Sequence, residues 1–151
     1  MSSALALEAS RLCSFALDGR TFGIDILATE EVVRARRLTP VPLAAPDMAG
    51  LLNLRGRIVS SIDLRLRLGL SPRQDGEPCT HIIARTSTGS VSLLVDRVED
   101  VVDVAASQLE PPPHNLPEAA RGAVAGVIKL ETRLLLVLDV ERTACPPGRT
   151  S

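Results

Sequence analysis

Apolar runs broken near their middle by polar or glycine-bearing residues occur in four stretches of this chain, and two of them alternate apolar and polar positions. RLCSFALDGRTFGIDI (residues 11–26) alternates on either side of Asp18-Gly19, and HIIARTSTGSVSLLVD (81–96) does so around Thr88-Gly89. GLLNLRGRIVSSID (50–63) turns at Arg55-Gly56, and GVIKLETRLLLVLD (126–139) has the same outline. A period of two places alternate side chains on one face of a strand, and Gly-bearing pairs accept the positive φ angles of a tight hairpin turn. The pattern predicts β-hairpins at all four places. After two of them an aspartate, Asp63 or Asp139, stands where it can cap a short helix, and Gly69 can end the first such helix. Leu64-Arg65-Leu66-Arg67-Leu68 fits a strand or one turn of helix, and five residues leave both readings open. Pro40, Pro42 and Pro46, and later Pro111, Pro112, Pro113 and Pro117, mark loops that cannot continue a sheet ladder.

The hairpins are related. AGLLNLRGRIVSSIDLR (49–65) aligns without gaps with AGVIKLETRLLLVLDVE (125–141) at an offset of 76, with Ala49, Gly50, Leu54, Arg57 and Asp63 repeated at 125, 126, 130, 133 and 139. FGIDILATEEVV (22–33) aligns with VSLLVDRVEDVV (91–102) at an offset of 69, and both end in two acids followed by Val-Val. The motif order is the same in both halves, so the chain reads as two copies of one unit, about 11–70 and 80–143. The polar segment SPRQDGEPC (71–79) joins them as a linker, and residues 1–10 and 144–151 are expected to be flexible tails. Each unit is too small to bury much surface alone. The two should therefore pack together as mainly β, barrel-like units with a groove where they meet.

Composition narrows the function. Of 151 residues, 45% are hydrophobic, but Phe15 and Phe22 are the only aromatics, so the core must be aliphatic. A net charge of −1 and the scarcity of stacking side chains argue against nucleic acid. Three scattered cysteines do not form a disulfide framework. The N-terminus has no basic opening and no long apolar run, and the densest apolar run, 134–138, is far short of a spanning helix, so direct membrane insertion is not expected. Cys79 and His81 lack a second pair of metal ligands, and His114 stands alone. No phosphate-binding loop, nucleophile elbow or dinucleotide fingerprint occurs. Asp63, Asp96 and Asp139 end apolar runs, where capping or strand-end roles are ordinary. No catalytic residue, metal site or cofactor is expected, and a binding module is the economical reading.

Taken together, F-x-L-D-G-x-x-F-G-I-D-I, the acid-Val-Val turn, G-L-L-N-L-R-G-x-I-V-x-x-I-D-L-R, V-D-x-V-x-D-V and the closing R-L-L-L-V-L-D resemble the CheW-like domain, from about Cys13 to Thr143. The resemblance implies two SH3-like five-stranded β-barrel subdomains around a shared hydrophobic core, with short helices, forming a single domain over 11–143. It implies a cytoplasmic, non-catalytic adaptor of a bacterial chemosensory array, held at the inner face of the membrane through its receptors. The implied partners are the regulatory domain of a CheA-type histidine kinase and the cytoplasmic tip of methyl-accepting chemoreceptors. By position in the motifs, the partner-binding surface would comprise Thr29, Glu31, Gly50, Asn53, Arg55 and Gly56. Arg55, beside Gly56 at a tight turn, is expected to pair with Glu31 and fix the kinase-facing loops.

Arg57 has a counterpart at Arg133 and is expected to serve the hairpin, while Arg65 and Arg67 read as a solvated face. The Val-Val pairs at 32/33 and 101/102 are expected mainly in core packing, with a receptor groove as their other use. The family commonly carries proline and aliphatics where this chain has Ser60-Ser61, and often valine at the place of Thr29. A divergent adaptor in a non-motility chemosensory pathway is the alternative. A small β-barrel enzyme or nucleic-acid-binding protein ranks below it, although Arg55, Arg57, Arg65 and Arg67 would make a basic face if coplanar.

Overall fold

The computed structural model describes residues 9–144. The expected tails fall mostly outside these residues, although Ser10 already belongs to the first strand and Ala144 to the last helix. The first half of the chain contains β1 (Ala9–Leu17), β2 (Arg20–Asp25), β3 (Thr29–Arg34), β4 (Met48–Leu54), β5 (Arg57–Asp63) and α1 (Leu64–Arg67). The second contains β6 (Thr80–Thr86), β7 (Gly89–Val95), β8 (Arg97–Ala105), α2 (Glu118–Arg121), β9 (Val124–Lys129), β10 (Leu134–Leu138) and α3 (Val140–Ala144). Single 3-10 turns lie at Ile26–Ala28 and Ala106–Gln108.

All four expected hairpins form. Asp18-Gly19 and Arg55-Gly56 have positive φ at both positions, 50° and 77° and then 53° and 83°, as a primed two-residue turn demands. The third turn lies at Ser87-Thr88, one residue earlier than expected, and Gly89 opens β7. There Thr86 Oγ1 donates to the Gly89 carbonyl at 2.7 Å and accepts from the Thr88 amide at 3.2 Å, so a side chain helps set the turn. Residues 64–67 are helical. Asp63 Oδ1 accepts from the Arg65 amide at 3.0 Å, and the Gly69 and Leu70 amides close back on the Leu66 and Arg65 carbonyls with Gly69 at φ 75°, a Schellman end. Asp139 caps α3 in the same way, accepting from the Arg142 amide at 3.1 Å.

The two halves do not each build one sheet. Sheet A runs β8-β1-β2-β10-β9 and sheet B runs β3-β6-β7-β5-β4, so each takes one hairpin from one half and three strands from the other. The internal repeat maps sheet A onto sheet B strand for strand and in register: Leu12 faces Asp25 as His81 faces Leu94, and Val137 faces Gly23 as Ser61 faces Ser92. The exchange happens because the chain leaves β2 through the Ile26–Ala28 turn, and β7 through Asp96, and enters the other sheet each time.

The sheets are curled but are not closed barrels, as continuous ladders would require. The segment after β3 returns to the opposite edge through one bridge, Thr39 to Leu51, and the segment after β8 does so through Glu110 to Val127. This explains the repeated glycine. A Cβ on Gly50 would sit 2.8 Å from the Thr39 carbonyl oxygen, and one on Gly126 would sit 2.5 Å from that of Glu110. Each glycine lets the returning backbone pass over it.

Strand alternation then makes three apolar cores. One face of each sheet meets the other sheet in a shared core that includes Phe15, Phe22, Ile24, Ile82, Leu93, Leu136 and Leu138. The opposite faces enclose two smaller clusters: Leu12, Val104, Ile128, Leu135 and Val137 within sheet A, and Val33, Leu52, Leu54 and Ile83 within sheet B. The Val-Val pairs divide, with Val33 in the core of sheet B, Val102 packed against that of sheet A, and Val32 and Val101 exposed.

Arg65 and Arg67 correct the reading of a solvated face, since both are buried. The helical turn sends Arg67 into the other half, where it donates to the carbonyls of Arg142 (2.9 Å), Thr143 (2.9 Å) and Ala119 (2.7 Å). It thereby supplies partners for the open C-terminal end of α3. Arg65 grips Asp96 through Nε at 2.9 Å and Nη2 at 2.6 Å, and Arg73 from the expected linker reaches the same carboxylate at 2.7 Å. These ties sit where β7 crosses to β8. Burial pushes the Asp96 carboxyl up, but hydrogen bonds from Arg65, the Asp18 amide and Arg73 outweigh it and hold the group below the usual carboxylate range.

Arg67→Ala should lower unfolding free energy by about 2–4 kcal/mol, measured by denaturant titration, because charged hydrogen bonds to three carbonyls are lost together. Asp96→Asn should cost about 3 kcal/mol near neutral pH by leaving Arg65 and Arg73 without their shared anion. Since the folded-state pKa of Asp96 is lowered, its stabilisation is present above the ordinary carboxylate value and is lost as pH falls through the folded one. The variant should therefore show a flatter decline of melting temperature below about pH 4.

Candidate functional site

At the end of sheet B near the β4–β5 turn, two acids and several arginines converge. β3 carries a bulge against β6 between Thr29 and Glu31, which inserts Glu30 beside Glu31. Glu31 accepts two hydrogen bonds from the Arg55 fork, Nη1 to Oε2 at 2.7 Å and Nη2 to Oε1 at 2.6 Å. The expected pair is therefore present in the bidentate form, which suits planar guanidinium and carboxylate groups. It joins β3 to the β4–β5 turn, at opposite edges of sheet B, so it clasps the curled sheet where no ladder closes it.

Glu30 forms a second cluster. It accepts from Ser90 Oγ at 2.7 Å and from Arg85 Nε at 3.4 Å, and lies 4.0 Å from Arg57 Nη2. Arg57 also donates to Ser90 Oγ at 3.3 Å, so it ties β5 to β7 and β3 besides belonging to its own hairpin. Arg36 donates to the Asn53 carbonyl at 3.5 Å. The Arg55 hydrogen bond holds the Glu31 carboxyl below its usual range, and Ser90 followed by Arg85 does the same for Glu30. Glu31 in turn raises the pKa of Arg55. The cluster stays charged around neutral pH, and 69% of the Arg55 side chain remains exposed, so a partner can reach donors that Glu31 does not use.

The six residues expected at the site take different places. Glu31 and Arg55 meet directly. Asn53 and Gly56 shape the turn that carries Arg55: Asn53 Oδ1 accepts from the Gly56 amide at 3.1 Å. Gly50 is buried beneath residues 38 and 39 and acts on the fold of that edge. Thr29 lies outside the charged cluster, at the start of β3, with its hydroxyl donating to the Asp25 carbonyl at 3.4 Å. Sequence reasoning missed Glu30, Arg85 and Ser90. The bulge that turns Glu30 toward them has no local signature beyond the paired acids.

The equivalent end of sheet A is different. There the counterparts of Glu31 and Arg55 are Asp100 and Glu131, two acids, so the clasp is not repeated. Among the described residues no group of three or more His, Cys, Asp or Glu is arranged to hold a metal ion. Cys13 and Cys79 are free thiols, and burial pushes the Cys13 thiol up. No helix among the described residues is long and apolar enough to cross a membrane.

Known proteins share this architecture. The CheW-like domain matches residues 11–144. The chemotaxis protein CheW of Thermotoga maritima is 31% identical over 137 residues, covering 91% of this chain and 89% of that protein. That of Rhizobium meliloti is 28% identical over 130 residues, covering 86% and 84%. The crystal structure of scaffolding protein TtCheW from Thermoanaerobacter tengcongensis superposes with a TM-score of 0.83 at 26% identity, over 94% of this chain and 97% of that one. The swapped pair of five-stranded sheets, the motifs that build it and a match across nearly the whole described chain lead to one assignment: the protein belongs to the CheW-like domain family.

Proposed function

We propose that this protein is an adaptor that couples chemoreceptors to a CheA-type histidine kinase. The coarser part follows from the family: a chemotaxis scaffold, and not an enzyme. The finer reading rests on the exposed Glu31–Arg55 clasp, built on sheet B and lacking a counterpart on sheet A. A rigid, charged loop surface on one side of a pseudo-symmetric molecule suits a single protein partner, and the regulatory domain of the kinase is that partner. Arg55 offers it unused N–H donors, while Asn53 and Gly56 keep the turn in shape and Gly50 the edge strand that leads to it. The tip of a receptor coiled coil would lie along the seam between the sheets, where Val32 and Val101 stay exposed opposite the core residues Ile82 and Cys13. The protein would act in the cytoplasm, at the inner face of the membrane through its receptors. No observation favours the nucleic-acid or enzyme alternatives: two of the four arginines in the imagined basic face are buried and engaged with the fold.

Calorimetric titration with the purified regulatory domain of a CheA-type kinase from the same genome tests this. Wild type should bind with Kd on the order of micromolar, and Arg55→Ala should weaken binding at least about tenfold. The melting temperature should move little, since the pair is a surface one. If wild type binds no such kinase, the fold serves another task; if Arg55→Ala binds as well as wild type, the contact lies elsewhere.

A further inference from the structure

Three polar side chains are buried together inside sheet B. Ser61 on β5, His81 on β6 and Ser92 on β7 are 0%, 1% and 0% exposed. His81 Nδ1 lies 2.8 Å from Ser92 Oγ and 3.5 Å from Ser61 Oγ, and the two hydroxyl oxygens are 3.1 Å apart. A neutral ring satisfies the contact in either tautomer: Nδ1 accepts from the Ser92 hydroxyl, or Nδ1–H donates to Ser92 Oγ.

The fold does not require this arrangement. The repeat places Leu12, Gly23 and Val137 at the equivalent positions in sheet A, where they pack tightly: a Cβ on Gly23 would lie 3.1 Å from Leu135 Cδ2 and 3.4 Å from Leu12 Cβ. At these three matching positions one interior is apolar and the other polar, and Ser61 belongs to the Ser60-Ser61 pair that departs from the family pattern. The three strands that carry the triad also carry part of the charged cluster, whose acids stand on β3. Arg57 precedes Ser61 by four residues, Arg85 follows His81 by four, and Ser90 precedes Ser92 by two. Across from His81 on β3 is Val33, two residues after Glu31.

A second proton would make both ring nitrogens donors and put a full charge in this interior. Its partners there are hydroxyls, and the charged group whose field reaches it is another cation, Arg36, from the segment after β3. Strands β4 and β7 contain no ionisable residue. On β3 the acids Glu30 and Glu31 are held by Ser90, Arg85 and Arg55, and Arg34 at its end is a further cation. On β5, Asp63 caps α1 and pairs with Arg73 at 3.5 Å. Burial first, and then Arg36, hold the His81 pKa below its ordinary value.

We propose that the Ser61–His81–Ser92 triad is an acid-sensitive latch. Closed around a neutral imidazole, it holds β5, β6 and β7 together; protonation opens sheet B and loosens the charged cluster at its end. The latch stands on its own geometry, and only its effect on partner binding rests on the adaptor reading. Because the closed-state pKa is lowered, protection is complete above the ordinary histidine value. It falls as pH drops below that value and levels off below the closed-state one. With an open-state pKa of about 6.5, the opening constant can rise up to about tenfold between roughly pH 7.5 and 5.5. Glu30 and Glu31, held below the usual carboxylate range, stay ionised across that interval.

Hydrogen exchange on the full chain at about pH 7.5 and 5.5, with rates corrected for their intrinsic pH dependence, tests the latch. Amides of β5, β6 and β7 should lose protection by several-fold and up to about tenfold at the lower pH, while β1, β2 and β10 keep theirs. His81→Leu, which copies Leu12, should remove the difference, and His114→Gln should leave it intact. If His81→Leu does not fold, the triple variant Ser61→Val, His81→Leu, Ser92→Gly, carrying the residues of sheet A, takes its place. Equal protection of sheet B at both pH values, equal loss in both sheets, or an acid response that survives His81→Leu would overturn the proposal. Titration with the kinase regulatory domain at the same two pH values separates the two readings. Absence of binding at either pH counts against the adaptor role alone, and exchange alone decides the latch.

Discussion

Phe15, Phe22, Ile24, Ile82, Leu93, Leu136 and Leu138 come from both sheets and bury one another, so neither sheet can expose its inward face without losing the largest apolar core of the molecule. Each fully buried side chain of this kind stabilises the fold by about 1.5–3 kcal/mol relative to exposure, and no comparable resource exists within one sheet. The smaller clusters inside sheets A and B contain only a few side chains each. The exchange of strands between the halves reinforces the same dependence. Every sheet contains strands from both ends of the chain, so pulling the halves apart would break ladders as well as the core. Arg65 adds charged hydrogen bonds at the crossing from β7 to β8, and Arg67 adds others to the end of α3.

On this duplicated frame, equivalent positions have taken separate duties. Those that serve the fold are the same in both copies: glycine at 50 and 126 lies under a returning strand, and aspartate at 63 and 139 caps the helix that follows. Those at the ends of the curled sheets differ. One end carries a guanidinium–carboxylate clasp where the other carries two acids. The interiors differ as well, with a serine–histidine–serine cluster on one side and leucine, glycine and valine on the other. The two differences fall on the same sheet, sheet B.

Much of the fold was legible in the chain because hairpins and caps are local. Period-two alternation around Asp18-Gly19 and the apolar run broken at Arg55-Gly56 specify strands and turns within a few residues, and Asp63 needs only the next turn of backbone to cap. The repeat showed that the architecture would be duplicated, and the motif placed Glu31 and Arg55 together. Less local features were hidden. Whether 64–68 is strand or helix depended on what Arg65 and Arg67 could reach, and both reach groups far away in sequence: Asp96, and the carbonyls of residues 119, 142 and 143. An arginine in an aliphatic run looks solvated until a fold supplies buried acceptors for it.

Composition, alternation and the internal repeat by themselves determined a mainly β, aliphatic, two-unit fold and pointed to a binding module, because these properties are written in short-range pattern and residue chemistry; the adaptor reading came from the family motifs. Only the tertiary structure decided that the units exchange strands, that Glu30 joins Glu31 through a bulge, and that Ser61, His81 and Ser92 are buried together. Such features arise from side chains 11 to 60 positions apart. Their meeting is set by sheet order and register, which no local segment specifies.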